Sequence, residues 1–175
     1  MRAIPKQVMR RFAAECRRVA AFGLVQCSSG NLSWRIDKDR MLIKCNRAWL
    51  GEMTVGEVAV CRISDGASLN GKRPSVELGF HAGILRERPD VNVVLHYQTP
   101  CATAVGCMSG KPPNYFLIPE IPYYIGSIGE APFLLPGSEA LAKAVTAVMK
   151  THNLAQLRNH GQVTAAADFQ NAIQN

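Results

Sequence analysis

No stretch of the chain reaches the roughly eighteen successive apolar residues that a membrane-spanning helix needs, so the sequence gives no reason to place it in a bilayer. The opening MRAIPKQVMRRFAAECRRVA has no uninterrupted apolar core of signal-peptide length. The six cysteines, at 16, 27, 45, 61, 101 and 107, include no CxxC pair, which removes the usual mark of a zinc ribbon or a redox dithiol. They sit mostly in apolar segments and are expected to be reduced and buried; together with the missing leader this favours the cytoplasm. Aromatic residues make up 7% and charged residues 19% of the chain, with no internal repeat, so neither a disordered tract nor a fibrous or low-complexity protein is indicated. What is present is 47% hydrophobic content over 175 residues, enough for one sizeable core and too little for two domains, so a single domain over 1–175 is expected.

Acidic residues are outnumbered, and the formal charge is +7. Much of the excess lies on one predicted helix, at Arg2, Lys6, Arg10, Arg11, Arg17 and Arg18, and the rest is scattered. Because no basic stripe interleaved with aromatics follows it, a solvated helix face accounts for the charge better than a nucleic-acid surface does. A general attraction for phosphorylated small molecules fits the same charge.

Met9, Phe12, Ala13, Cys16, Val19 and Ala20 recur at three- and four-residue steps and predict an opening helix that ends near Gly23. Residues 31–36 and 41–45 read as a hairpin around the polar turn at 37–40, and 58–63 as a third strand. Ser75 is placed to cap a helix through Glu77, Phe80, His81, Ile84 and Leu85 that stops before Pro89, and 91–96 reads as a fully buried strand. The Pro-rich segment from Pro112 to Pro136 predicts a long loop. After it come a helix capped by Ser138, strands at 154–157 and 162–165, and a last helix capped by Asp168.

Histidine is scarce, with four in the chain. His96 ends the run VVLH and His160 lies in the turn RNHG, so both can project into one cleft at strand ends. Each alone reads more readily as a hydrogen-bonded structural residue than as a ligand. Glu77, in the first turn of the helix that precedes the His96 strand, can face the same cleft, although a carboxylate is also favoured there by the helix dipole. Two imidazoles and a carboxylate are a usual donor set for a catalytic divalent ion with one position left for substrate. His81, four residues after Glu77, is read first as core packing, with a ligand or a residue behind the ligands as the alternatives, and His152 as a solvated residue near a helix end.

Five short segments then carry a resemblance to a known family. SSGNLSWR at 28–35, RPSVELGFH at 73–81, RPDVNVVLH at 88–96, IPYYIGS and PGSEALAKAV between 121 and 145, and LRNHGQVTAAAD at 157–168 occur in the order found in the class II aldolase/adducin family. The resemblance implies a three-layer α/β/α fold with a central, mainly antiparallel or mixed sheet, and a homotetramer. It implies Glu77 as catalytic acid/base beside the metal, His96 and His160 as metal ligands, and Gly30, Asn31, Asn46, Arg47, Ser75 and Val76 around the substrate phosphate. Tyr115, aligned with a gap, falls on a catalytic tyrosine.

Three departures qualify it. The family's H-x-H reads His96-Tyr97-Gln98, so a neutral amide, weak or absent as a ligand, replaces the third imidazole. Zinc is still expected first, with manganese, magnesium or cobalt gaining ground. The second phosphate loop reads Lys44-Cys45-Asn46-Arg47, and Val76 replaces a serine, which leaves charge from Lys44 or Arg47 to hold phosphate. Finally, the chain ends where relatives continue into C-terminal helices. The expected activity is retro-aldol cleavage of a small ketose phosphate through an enediolate. Epimerase or dehydratase chemistry at the same site, and a non-catalytic adducin-like binding role, are the alternatives.

Overall fold

The structure, a computed structural model, describes residues 3–110 and 114–175. Arg2 of the basic helix and Pro112 and Pro113 of the Pro-rich segment lie outside the described residues. The first helix, α1 (Lys6–Ala21), buries Phe12, Ala13, Cys16 and Val19 at the predicted spacing, and Gly23 follows it in the left-handed region. Then come β1 (Asn31–Arg35), β2 (Arg40–Lys44), β3 (Val58–Arg62), α2 (Leu78–Glu87), β4 (Val93–Tyr97), α3 (Pro100–Gly106), β5 (Ile128–Ala131), α4 (Glu139–Met149), β6 (Leu154–Leu157), β7 (Gly161–Ala166) and α5 (Phe169–Gln174).

The seven strands form one sheet in the order β3-β2-β1-β4-β7-β6-β5, antiparallel throughout except for the parallel pair β5 and β6 at the edge. The period-two alternation of strand side chains divides the core in two. Met41, Ile43, Val94 and Val163 join Phe80, Ile84, Leu141 and Val145 under α2 and α4, whereas Leu32, Leu42, Val93 and Leu95 join Phe12, Cys16, Phe169 and Ala172 under α1 and α5. β4, central and covered on both faces, is buried along its whole length. This is the three-layer arrangement with a mainly antiparallel mixed sheet that the resemblance implied.

Several expectations change. α2 starts at Leu78 with Glu77 at its cap position, so Ser75 is not its cap. Ser75 instead donates its N–H to the Lys44 carbonyl at 3.0 Å, beside a bridge that ties Cys45 to Pro74, and its carbonyl accepts from the Leu78 N–H at 3.1 Å. The supposed long loop contains a π-helical turn at Ile121–Ile125 and the edge strand β5, whose backbone partners come from β6. α3, which begins on Pro100, was not assigned from the sequence. All six cysteines are free, but only Cys16 and Cys61 are buried; Cys27, Cys101 and Cys107 are exposed in loops and on the outer side of α3. The basic face of α1 is partly engaged: Arg11 lies over the Trp34 and Phe169 rings at 5.3 and 5.9 Å, and Arg17 donates to the Met53 carbonyl. Among the described residues no helix is long and apolar enough to cross a membrane.

Candidate metal centre and active site

Strand register builds the site. Asn31 on β1 stands opposite His96 on β4, and His96 stands opposite Val163 on β7, so the His160 turn that precedes β7 closes over the same edge of the sheet. Glu77, at the N-terminus of α2, enters from the layer above. His96 Nε2 lies 3.4 Å from Glu77 Oε2, and His160 Nε2 lies 3.3 Å from Glu77 Oε1. The two imidazoles meet edge to face with centroids 4.8 Å apart. Glu77 and His96 are buried and His160 is half-buried.

These atoms fit a divalent ion. Ligands about 2.0–2.2 Å from a tetrahedral metal stand roughly 3.3–3.6 Å from one another, and both carboxylate-to-imidazole separations fall there. His96 Nδ1 lies 2.8 Å from the Gln162 carbonyl, which can only accept, so Nδ1 carries the proton and the Nε2 lone pair faces Glu77. Glu77 Oε1 and His160 Nδ1 are buried with no hydrogen-bond partner among the described residues. A buried carboxylate oxygen is seldom left so unless another ligand is meant for it. Burial, and then the neighbouring His96, hold His160 below the ordinary imidazole value against the opposing pull of Glu77, which keeps it in the form that binds metal.

Behind Glu77 the side chains are polar and satisfied. Asn31 Nδ2 donates to Glu77 Oε2 at 2.8 Å, and Asn31 Oδ1 meets His81 Nε2. His81 is fully buried, stacks on Phe80 with centroids 4.8 Å apart, and pairs through Nδ1 with Ser33 Oγ at 2.7 Å. Asn31, expected at the phosphate, is therefore engaged with the carboxylate. Ser33 and Phe80 were not singled out from the sequence. The signal was there: Asn31 and Ser33 are two apart on a strand, Glu77 and His81 four apart around a helix, so each pair shares a face. A second network, also missed, lies under the His160 turn, where Gln162 donates to Gln156 and Gln156 to the Leu157 and Gly161 carbonyls. Asn159, in the left-handed region, donates its N–H to the Gly106 carbonyl at the end of α3, which anchors that turn.

The other expected residues are distributed around this centre. Gly30 has a φ of +66° and packs against the His96 carbonyl. Gln98 is half-buried, with its stem against Gly161 beside the His96 ring. Ser75 is buried, and the Asn46 N–H is bound to the Arg73 carbonyl. Arg47 is exposed and left-handed, and Val76 is exposed beside Gly137. Lys44 is almost fully buried; its Nζ donates to the Ser28 carbonyl at 2.6 Å and the Ala48 carbonyl at 2.8 Å, clamping two loops together. Burial lowers its pKa. The Tyr115 phenol donates to Glu130 Oε1 on β5 at 2.8 Å, and burial and then Glu130 push its ionisation up.

Residues 10–175 match the Class II Aldolase and Adducin N-terminal domain. The chain belongs to this family. It is 31% identical over 150 residues to the 3-oxo-tetronate 4-phosphate decarboxylase of Haemophilus influenzae, covering 84% of this chain and 71% of that one. It is 28% identical over 162 residues to the 5-methylthioribulose-1-phosphate/5-deoxyribulose-1-phosphate aldolase of Rhodospirillum rubrum, covering 90% and 70%. An L-fuculose 1-phosphate aldolase structure superposes with a TM-score of 0.85 at 22% identity, over 97% of this chain and 80% of that one. These relatives are enzymes, and the Glu77, His96 and His160 cluster supports the same status here.

Proposed function

We propose that the protein is a divalent-metal-dependent lyase that cleaves a carbon–carbon bond beside a carbonyl in a small sugar phosphate, by the retro-aldol reaction of a ketose phosphate. The observation that carries this is the buried Glu77 carboxylate, whose Oε1 has no hydrogen-bond partner among the described residues, with the His160 Nε2 facing Oε1 and the His96 Nε2 facing Oε2. His96, His160 and Glu77 would hold zinc, or manganese, magnesium or cobalt given the amide at Gln98. When bound, such an ion supplies Lewis acidity to the substrate carbonyl and so favours the enediolate. Asn31 fixes one carboxylate oxygen of Glu77, leaving the other to take the substrate hydroxyl proton as the bond breaks and to return it to carbon. The backbone beside Gly30, with Ser75, Asn46 and Arg47, supplies N–H groups, a hydroxyl and charge for the phosphate.

A second reading, decarboxylation of a 3-oxo sugar-acid phosphate, is favoured by the similarity to the Haemophilus influenzae enzyme. Both reactions develop the same enolate. Incubation with pentulose, hexulose and 3-oxo-acid phosphates, followed by NMR, separates them: retro-aldol cleavage gives two carbon fragments, and decarboxylation gives carbon dioxide and one. Glu77→Ala is expected to lower turnover by about 10²–10⁴-fold, and full activity in that variant would overturn the proposal. A homotetramer in the cytoplasm belongs to the same reading. The exposed Phe116, Leu117, Tyr123, Phe133 and Leu135 support self-association, which light scattering would detect.

A further inference from the structure

Ser33, His81, Asn31 and Glu77 form one unbroken chain of side-chain hydrogen bonds, and the proton transfers proposed above use only its last member. Its direction is set from the Glu77 end. An ionised carboxylate only accepts, so the group that Asn31 presents to Oε2 must be its NH₂, which leaves Asn31 Oδ1 facing His81. Oδ1 also only accepts, so His81 must carry its proton on Nε2. The bare Nδ1 then accepts from the Ser33 hydroxyl, 2.7 Å away. Reversing one member sets two lone pairs against each other among buried side chains, where such a mismatch is costly.

An asparagine amide is nearly symmetric in shape, so packing alone does not hold its orientation. The carboxylate fixes one end, and the His81 ring fixes the other. The ring has no solvent exposure and is stacked on Phe80, which in turn meets His96 edge to face at 5.9 Å. We infer that His81 is a positioning residue: its Nε2–H, oriented by Ser33, locks the Asn31 amide so that Glu77 is held by one oxygen and turns the other into the site. Burial, with His96 and Lys44 nearby, holds the ring's pKa well below its ordinary value, which leaves Nδ1 bare to accept from Ser33. The consequence for metal affinity rests on the metal-dependent reading above; the hydrogen-bond chain does not.

The test compares His81→Gln, whose amide nitrogen can replace Nε2 as a donor, with His81→Phe, which fills the space without one. Titration calorimetry with Co²⁺ is expected to show about tenfold weaker binding in His81→Phe and a change within about threefold in His81→Gln. Equal losses in both, or none in His81→Phe, would overturn the inference. Two measurements stand if His81→Phe does not fold. Long-range ¹H–¹⁵N correlation of the metal-free wild type should find His81 protonated on Nε2, and the Asn31 side-chain NH₂ resonances should move in both Ser33→Ala and Glu77→Gln. A proton on Nδ1, or Asn31 resonances indifferent to both variants, would overturn it. Wild-type protein that binds no divalent ion would remove the proposed function alone, and the NMR measurements would still decide the role of His81.

Discussion

Gly30 carries two constraints at once. Its φ of +66° lies where side chains are strained, and a Cβ there would stand 2.6 Å from the His96 carbonyl and 2.5 Å from Val25. Gly30→Ala is therefore expected to destabilise the fold by about 2–3 kcal/mol in urea unfolding. Because the contact is with His96 itself, the variant should also bind metal more weakly. His81 makes a prediction of opposite character. Its folded pKa lies well below the ordinary 6.5, so the unfolded chain takes up a proton that the folded chain refuses. The sign follows: this contribution is fully present above pH 6.5 and is lost as the pH falls below it, by up to about 1.4 kcal/mol per pH unit. Unfolding free energies from pH 7.5 to 5.5 should fall more steeply for wild type than for His81→Gln; parallel slopes would contradict it.

At the scale of elements, α2 and α4 approach closely because small residues face one another. A Cβ on Gly83 would stand 2.2 Å from Thr146 Oγ1 and 3.2 Å from its methyl. Alanine in a helix is normally the better residue, by about 0.5–1 kcal/mol, yet here overpacking of about 1–3 kcal/mol should win. Gly83→Ala should lower the midpoint of denaturation, and adding Thr146→Ala should recover most of the loss; additive effects would show that the helices do not meet there.

Which elements the sequence announces follows from the same physics. The hairpin, α4 on its Ser138 cap and α5 on its Asp168 cap are local structures with local signals, and all were legible. β5 was not, because Ile-Gly-Glu-Ala has no strand pattern of its own and is held by parallel pairing with β6. The start of α2 was misread because Ser75, a good cap by type, is tied to the Lys44 carbonyl and followed by a turn, which moves the cap position to Glu77. Glu77, His96 and His160 were legible as residues, but their meeting depends on strand register across β1, β4 and β7. The partners of Asn31, Lys44 and Tyr115 were not legible for a shared reason: each pairs with a group that is not its neighbour in sequence, Glu77, the Ser28 carbonyl and Glu130 respectively.

At the scale of the whole molecule, the two hydrophobic cores share one sheet, and the candidate metal centre lies where its central strands end. Glu77, His96 and His160 come from a helix cap, a central strand and a turn, groups that meet only in the folded chain. A ligand that binds the folded form alone stabilises it by mass action, by about 2.7 kcal/mol at a hundredfold excess over its Kd. For a domain of this length that corresponds to a rise in Tm of roughly 5–11 °C. Both imidazoles must be unprotonated to bind, so protons compete with the ion and the rise should be larger at pH 7.5 than at pH 5.5. Thermal melts with Zn²⁺ or Co²⁺ and after exhaustive chelation, at pH 7.5 and at pH 5.5, measure this directly. The site reading requires a gap between loaded and chelated protein that is large at the higher pH, small at the lower, and absent at both in His96→Ala. A gap that survives in that variant would place the binding elsewhere.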